Sequence, residues 1–256
     1  MYEWNECFPQ PPLMNSKVWR YMDFTKLVSL LDTGKLFFPR VDKLDDPYEG
    51  TSPKALIDAR EKMLAQIAED PQYDGNTAKR AEILDSYRDV AKTLEKFSQF
   101  MAVSCWHLNE SESMAMWKLY LSANEGVALQ TTYERLRNCF RVVEEKVHIG
   151  LVTYIDYDND EFSTLNMDYL YVHKRKSFEH EREIRCLVRK YPEHWTDEPL
   201  IGAGIAVPVD LDLLIENIYV APASPPWFLD VVNSTIQKFG RKEIAVKSPL
   251  SKPPTY

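Results

Sequence analysis

The segment from Lys174 to Val188 reads KRKSFEHEREIRCLV, and its pattern decides how this part of the chain folds. From residue 181 onward, charged and apolar side chains alternate with the two-residue period of a β-strand. The apolar face consists of Ile184, Cys186 and Val188. The charged face consists of Glu181, Glu183 and Arg185. A solvated strand face is one interpretation, but the basic run directly before it favours a charged face that lines a cleft.

Further strands and helices are predicted on both sides of this segment. The apolar patterns predict strands at 17–23, after Gly34, and at 100–108, 126–132, 148–157, 203–209, 217–222 and 243–247. Helices are predicted at 24–33, from Asn109, and at 225–239, and residues 53–97 are predicted to form an inserted helical hairpin. We therefore expect one α+β domain over residues 1–256, with a mixed, mostly antiparallel sheet.

Composition narrows the class of protein. The net charge of −8 argues against nucleic acid as the main partner, because phosphate binding needs a basic surface. The four cysteines lie far apart and show no metal-binding spacing, which is typical of a reduced, cytoplasmic protein. No stretch of apolar residues is long enough to span a membrane, and the first residues do not read as a signal peptide.

The segment VSCWHLNESESMAMWKLY joins a strand to a helix. Ser104 and Trp106 are predicted on one strand face, and Cys105 and His107 on the other. A nucleophilic thiol at Cys105 is a minor alternative to a buried, inert cysteine. In the helix, the Trp117 stripe is expected to be core, with Tyr120 beside it as scaffold.

The loop VDKLDDPYEG carries three carboxylates, those of Asp45, Asp46 and Glu49. Their spacing fits no calcium loop, and Asp-Pro followed by Gly is ordinary turn chemistry. We expect Asp46 and Glu49 to pair with cations such as Lys176 or Arg185, with no metal bound.

These segments in their order resemble a prokaryotic family known as domain of unknown function 2971. The resemblance rests on the early Arg20-Tyr21 strand, the DDPYE loop, the MWKLY helix with its following Gly-Val strand, and the late K…E-x-E-x-R pattern. It covers roughly residues 17 to 190, and Asp45 and Tyr48 stand where the family commonly has Asn and Phe. Membership implies a bacterial, phage or mobile-element protein and supplies no activity.

The order Arg20, Ser104, Glu181-x-Glu183 is also similar to that of ADP-ribosyltransferases, although their Ser-Thr-Ser triplet is replaced here by VSCW. That resemblance implies an NAD cleft in which Arg20 holds NAD, Ser104 orients the ribose and Glu183 stabilises the oxocarbenium-like state. NAD would be a substrate, and Glu181 would orient an unknown acceptor. The expected substrate-binding neighbours are Tyr21, Asp46, Glu49, Trp106, Lys176, Glu181 and Arg185.

Two other functional classes remain open at this point. One is a non-enzymatic module that binds an unknown protein partner through its charged strand face. The other is a metal-dependent phosphoesterase that uses the carboxylates of the 45–49 loop or Glu183 with a divalent cation.

Overall fold

A computed structural model describes residues 1–73, 76–121, 124–141, 143–162, 166–191, 200–242 and 244–254. The strands are β1 (Lys17–Asp23), β2 (Lys35–Pro39), β3 (Met101–Leu108), β4 (Gly126–Thr132), β5 (Val147–Leu151), β6 (Thr153–Ile155), β7 (His173–Arg175), β8 (Glu183–Arg189), β9 (Gly204–Pro208), β10 (Asn217–Val220) and β11 (Ala245–Lys247). The α-helices are α1 (Phe24–Thr33), α2 (Lys54–Glu69), α3 (Thr77–Phe97), α4 (Met114–Tyr120), α5 (Tyr133–Asn138), α6 (Leu211–Leu214) and α7 (Pro226–Lys238).

Seven strands form the central sheet, in the order β11-β10-β4-β1-β3-β8-β5. Its neighbouring strands are antiparallel except for β10 and β11, which run parallel. Two small sheets accompany it, an antiparallel pair of β2 with β9 and a parallel pair of β6 with β7. The protein therefore has the predicted α+β fold with a mixed, mostly antiparallel sheet.

The two faces of the central sheet have different neighbours. Ile184, Cys186 and Val188 of β8 lie in the main hydrophobic core, together with apolar side chains of α1, α5 and α7. The opposite face of β3 and β8 carries the charged and polar side chains, and Met101 and Val103 there join a smaller apolar cluster. The alternation predicted for both strands is confirmed.

Local signals explain several element boundaries. Gly34 ends α1 in the left-handed region, at φ 62°, and its N–H donates to the Leu30 carbonyl. Helix α4 begins later than predicted, because Ser113 caps it by accepting from the Met116 N–H. The Asn109 N–H instead donates to the carbonyl of Lys17 on β1. The strand predicted at 148–157 is two strands, since the chain leaves β5 at Val152, whose N–H donates to the Glu183 carbonyl.

The helices α2 and α3 occupy the predicted 53–97 insertion and form a hairpin. None of the residues of α2 is buried. Helix α2 therefore adds little to the core.

Truncation of Trp117 tests the packing of α4 against the sheet. Trp117 is 3% exposed and meets the Tyr21 ring edge-on with 4.9 Å between centroids, so Trp117→Ala should lower the free energy of unfolding by about 3 kcal/mol. Leu119→Ala is the control, because Leu119 is 53% exposed on the same helix and should cost far less. Denaturant titration gives both values, and equal losses would contradict this packing.

Tyr120, predicted as scaffold, is 41% exposed and does not belong to the core.

Candidate functional site

Arg185 is the centre of a buried ionic cluster on the charged face of β8. Its side chain is fully buried, and all five of its N–H donors are used. The acceptors are Glu183 (2.7 and 3.1 Å), Glu49 (2.9 and 3.1 Å) and the Tyr171 carbonyl (2.7 Å). Arg185 thus ties the 44–50 loop and the turn before β7 to the sheet. It has no donor left for a substrate, contrary to the substrate-binding role expected for it.

Lys174 of β7 joins the same cluster from the other side. Its ammonium nitrogen lies 2.6 Å from Glu181 Oε2, 3.3 Å from Glu183 Oε2 and 3.5 Å from Glu49 Oε1. Three buried carboxylates therefore surround two buried cations, which leaves one negative charge unbalanced within this group. The cleft interpretation of the opening segment agrees with this geometry, because Glu181 and Glu183 are buried and do not lie on a solvated face.

The two glutamates of the E-x-E pair have opposite electrostatic environments. Burial opposes the charge of Glu183, but Arg185 and Lys174 outweigh it and hold the pKa of this carboxyl at about 2. Burial raises the pKa of Glu181, and Lys174 only partly offsets the effect. Glu183 is thus fixed in its ionised form, whereas Glu181 is the carboxyl that gains a proton more readily.

A small cavity of about 30 Å³ lies beside Glu181, with room for one or two water molecules. Its lining includes the rings of Trp19, Tyr21 and Tyr120, together with His107 and both glutamates. Burial lowers the pKa of His107, so the ring is neutral near physiological pH. Aromatic walls and carboxylates thus meet in one enclosed space.

Arg182 lies directly before β8, in the turn that leads into this site. Its φ of 42° makes it the one residue other than glycine with a positive φ among those the structure describes. It ends the 3-10 turn that carries Glu181, and its carbonyl accepts from the Leu108 N–H. A left-handed backbone is unfavourable for residues with a Cβ, so the turn stores strain between the two glutamates.

Replacing Arg182 by glycine should relieve that strain. We expect Arg182→Gly to be more stable than Arg182→Ala by about 1 kcal/mol, because both variants lose the side chain and only glycine accepts positive φ freely. Thermal and denaturant unfolding measure the difference. An alanine variant as stable as the glycine variant would show that the turn is unstrained.

Ser104 does not meet Glu183, which corrects the predicted three-residue cleft, whereas Arg20 lines the same cavity as Glu183. Arg20 pairs with Leu129 on β4 and reaches the cavity next to the point where the pairing of β1 with β3 ends. Ser104 pairs with Cys186 on β8, which places its side chain on the main-core face. Glu183 pairs with His107 and lies on the opposite face. The odd and even positions of a strand point to opposite faces, and the order of motifs along the chain does not reveal this.

Arg20, Ser104 and Trp106 instead form a contact of their own. Ser104 Oγ accepts from Arg20 Nη1 and from Trp106 Nε1, the latter at 3.2 Å. Arg20 also donates to the Cys105 carbonyl at 3.1 Å, next to the point where the β1–β3 pairing ends at Trp19. Their polar groups therefore satisfy one another. Trp106 packs in the main core and also contributes to the lining of the cavity.

The remaining predicted residues have varied positions. Glu49 pairs with Arg185 as expected, but the partner of Asp46 is Arg175 at 2.8 Å, and Lys176 is exposed. Tyr21 is buried, and its hydroxyl accepts from the Ser113 N–H. Across the residues that the structure describes, no group of three His, Cys, Asp or Glu side chains is arranged to hold a metal ion.

Two members of the site, Lys174 and His107, are not predicted as site residues from the sequence. Lys174 stands out there only as part of a basic run, and His107 only as a neighbour of Cys105. The shared strand face of Cys105 and His107 was the available signal, because Glu183 lies opposite that face. The contact of Lys174 with three glutamates cannot be predicted from the spacing of these residues along the chain.

Comparison with models of known protein families gives no match, and comparison with curated proteins gives none either. Within the part of the chain that the structure describes, no helix is long and apolar enough to cross a membrane.

Proposed function

We propose that this protein is an NAD-using enzyme of the ADP-ribosyltransferase type whose reaction centre is the Glu181–Glu183 pair. The observation that supports the proposal is that two carboxylates with opposite electrostatic environments border one aromatic cavity. A pair of titratable groups whose pKa values are driven apart is typical of acid–base catalysis.

The roles of the two glutamates differ from those expected from sequence. Glu183 borders the cavity, but both of its carboxylate oxygens are bonded to Arg185 or Lys174, so its role is a fixed negative charge that positions these cations and not that of a proton acceptor. Glu181 is held by Lys174 through Oε2 and borders the cavity. In the proposed reaction the C1′–N bond of the nicotinamide ribose breaks, and its electron pair leaves with nicotinamide. An acceptor or water forms the new bond at C1′ and transfers its proton to Glu181.

The size of the cavity restricts how NAD is bound. Pockets for ligands of this size usually span several hundred Å³, and the cavity has about 30 Å³. Most of the dinucleotide must therefore lie outside it, with the reacting ribose entering beside the exposed ring of Tyr120. Entry requires a shift of α4 relative to β1.

A second candidate is the non-enzymatic binding module. It is favoured by the placement of Ser104 on the main-core face of the sheet, away from the cavity that Arg20 and Glu183 line, which removes one of the three groups expected to hold NAD. Under this alternative the ionic cluster stabilises the fold, and the cavity with its aromatic rim contacts a partner.

Nicotinamide release distinguishes the two candidates. The purified protein is incubated with NAD, and nicotinamide is quantified by chromatography, while hydrogen exchange of α4 is followed with and without NAD. We expect nicotinamide release together with altered exchange in α4. A protein that neither consumes NAD nor changes its exchange would contradict the enzyme and leave the binding module.

A further inference from the structure

The cavity beside Glu181 presents hydrogen-bond acceptors that lack a donor. His107 is 6% exposed, and its Nδ1 lies 2.5 Å from the Glu181 carbonyl, so Nδ1 carries the proton and Nε2 carries a lone pair. Nε2 is buried and has no hydrogen-bond partner among the residues that the structure describes. A buried acceptor without a donor is unfavourable, so this atom points to a donor supplied by a ligand.

The carboxylate of Glu181 offers a second acceptor to the same ligand. In the described part of the chain, Lys174 is the donor to this carboxylate, and it bonds Oε2. The oxygen Oε1 has no donor among the described residues, and Glu181 lines the cavity. Arg182, the nearest exposed cation in sequence, directs Nη1 to Asn109 Oδ1 at 3.2 Å. Arg20 also lines the cavity, but its Nη1 donates to Ser104 Oγ and to the Cys105 carbonyl. Within the described residues, Glu181 Oε1 and His107 Nε2 therefore have no cation bonded to them.

The walls and the size of the cavity define the kind of cation that fits. The rings of Trp19, Tyr21 and Tyr120 border it, and aromatic faces attract cations. A volume of about 30 Å³ accommodates a group the size of a water molecule, which is also the size of an ammonium group. A guanidinium or a quaternary ammonium is larger.

We propose that this cavity binds a primary ammonium group, with N–H donors directed to His107 Nε2 and Glu181 Oε1. The ligand is the end of an alkylamine chain, either a free diamine or a lysine side chain, whose methylene groups leave the cavity beside Tyr120. The proposal concerns binding to the free protein and does not depend on NAD turnover. If the protein is a transferase, this amine is a candidate for the acceptor.

Titration with small amines tests the site in the absence of NAD. The probes are cadaverine as the free diamine, N-acetyl-lysine amide as the lysine source, and tetramethylammonium as a cation that is larger and has no N–H. Binding is measured near neutral pH by calorimetry and by the NMR signal of the His107 ring. We expect saturable binding of a primary amine, at least about 10-fold weaker binding of tetramethylammonium, and a shift confined to His107 among the histidines.

Matched variants locate the site. Glu181→Gln keeps the shape and removes the charge, and it should weaken amine binding at least about 10-fold, whereas Glu179→Gln on the exposed part of the same turn should bind as the wild type does. Tighter binding of cadaverine would identify the ligand as a free diamine, and tighter binding of N-acetyl-lysine amide would identify it as a lysine side chain. Absence of saturation, equal binding of tetramethylammonium, or an unchanged His107 signal would each overturn the proposal. The NMR measurement on the wild-type protein tests the proposal even if Glu181→Gln does not fold.

Discussion

Replacing Arg185 by methionine should unfold most of the protein or lower its free energy of unfolding by at least about 5 kcal/mol. The change removes five hydrogen bonds and leaves the buried carboxylates of Glu49 and Glu183 with Lys174 as their remaining cation. Breaking one buried ion pair typically costs about 3–5 kcal/mol, and Arg185 serves two carboxylates at once. Methionine fills a similar volume, so the loss reports charge and hydrogen bonding more than packing.

Arg175→Met is the matched control for this result. Arg175 is 36% exposed and pairs with one buried carboxylate, that of Asp46, which also accepts from the Tyr48 N–H, so the cost should be clearly smaller than that of Arg185→Met. Denaturant unfolding followed by circular dichroism gives both values. The largest expected effect is that Arg185→Met does not accumulate as folded protein, whereas Arg175→Met is obtained in normal yield. A loss below about 1 kcal/mol for Arg185→Met would show that the cluster does not hold the 44–50 loop to the sheet.

Replacing Glu181 by glutamine should lower the rate of NAD cleavage by about 100-fold to 10,000-fold, the range typical of a lost general acid or base. The amide keeps the size of the side chain, but it neither carries the negative charge nor exchanges a proton. The fold should survive, because Glu181 has one described partner for its carboxylate, Lys174, which remains bonded to Glu183. Kinetics of nicotinamide release, with thermal unfolding of the same samples, separate a catalytic loss from a folding loss.

Glu179→Gln provides the control for Glu181→Gln. Glu179 is exposed, belongs to the same 3-10 turn and undergoes the same chemical change, so it should retain wild-type activity. Equal activity of the wild type and Glu181→Gln would exclude Glu181 from the reaction. Equal losses in both variants would point to the turn as a whole and not to the cavity carboxylate.

The sequence by itself determined which face each residue of β3 and β8 presents. Alternation placed Ile184 with the core and Glu183 with the charged side, because the two-residue period of a strand is a local property. The same local rules gave the end of α1 at Gly34 and the helical insertion at 53–97. The pairing of Glu49 with Arg185 was also predicted, from charge alone.

Tertiary structure alone decided which functional side chains meet. Arg20, Ser104 and Glu183 follow one another in the expected order, but the register of β3 with β8 places Ser104 and Glu183 on opposite sheet faces, and only Arg20 lines the cavity with Glu183. Register depends on pairing between distant segments, and a shift of one residue exchanges the two faces. The contact of Lys174 with Glu49 and Glu181 likewise arises only when β7 and the 44–50 loop pack against β8, because ion pairs between distant segments depend on positions in space and not on spacing along the chain.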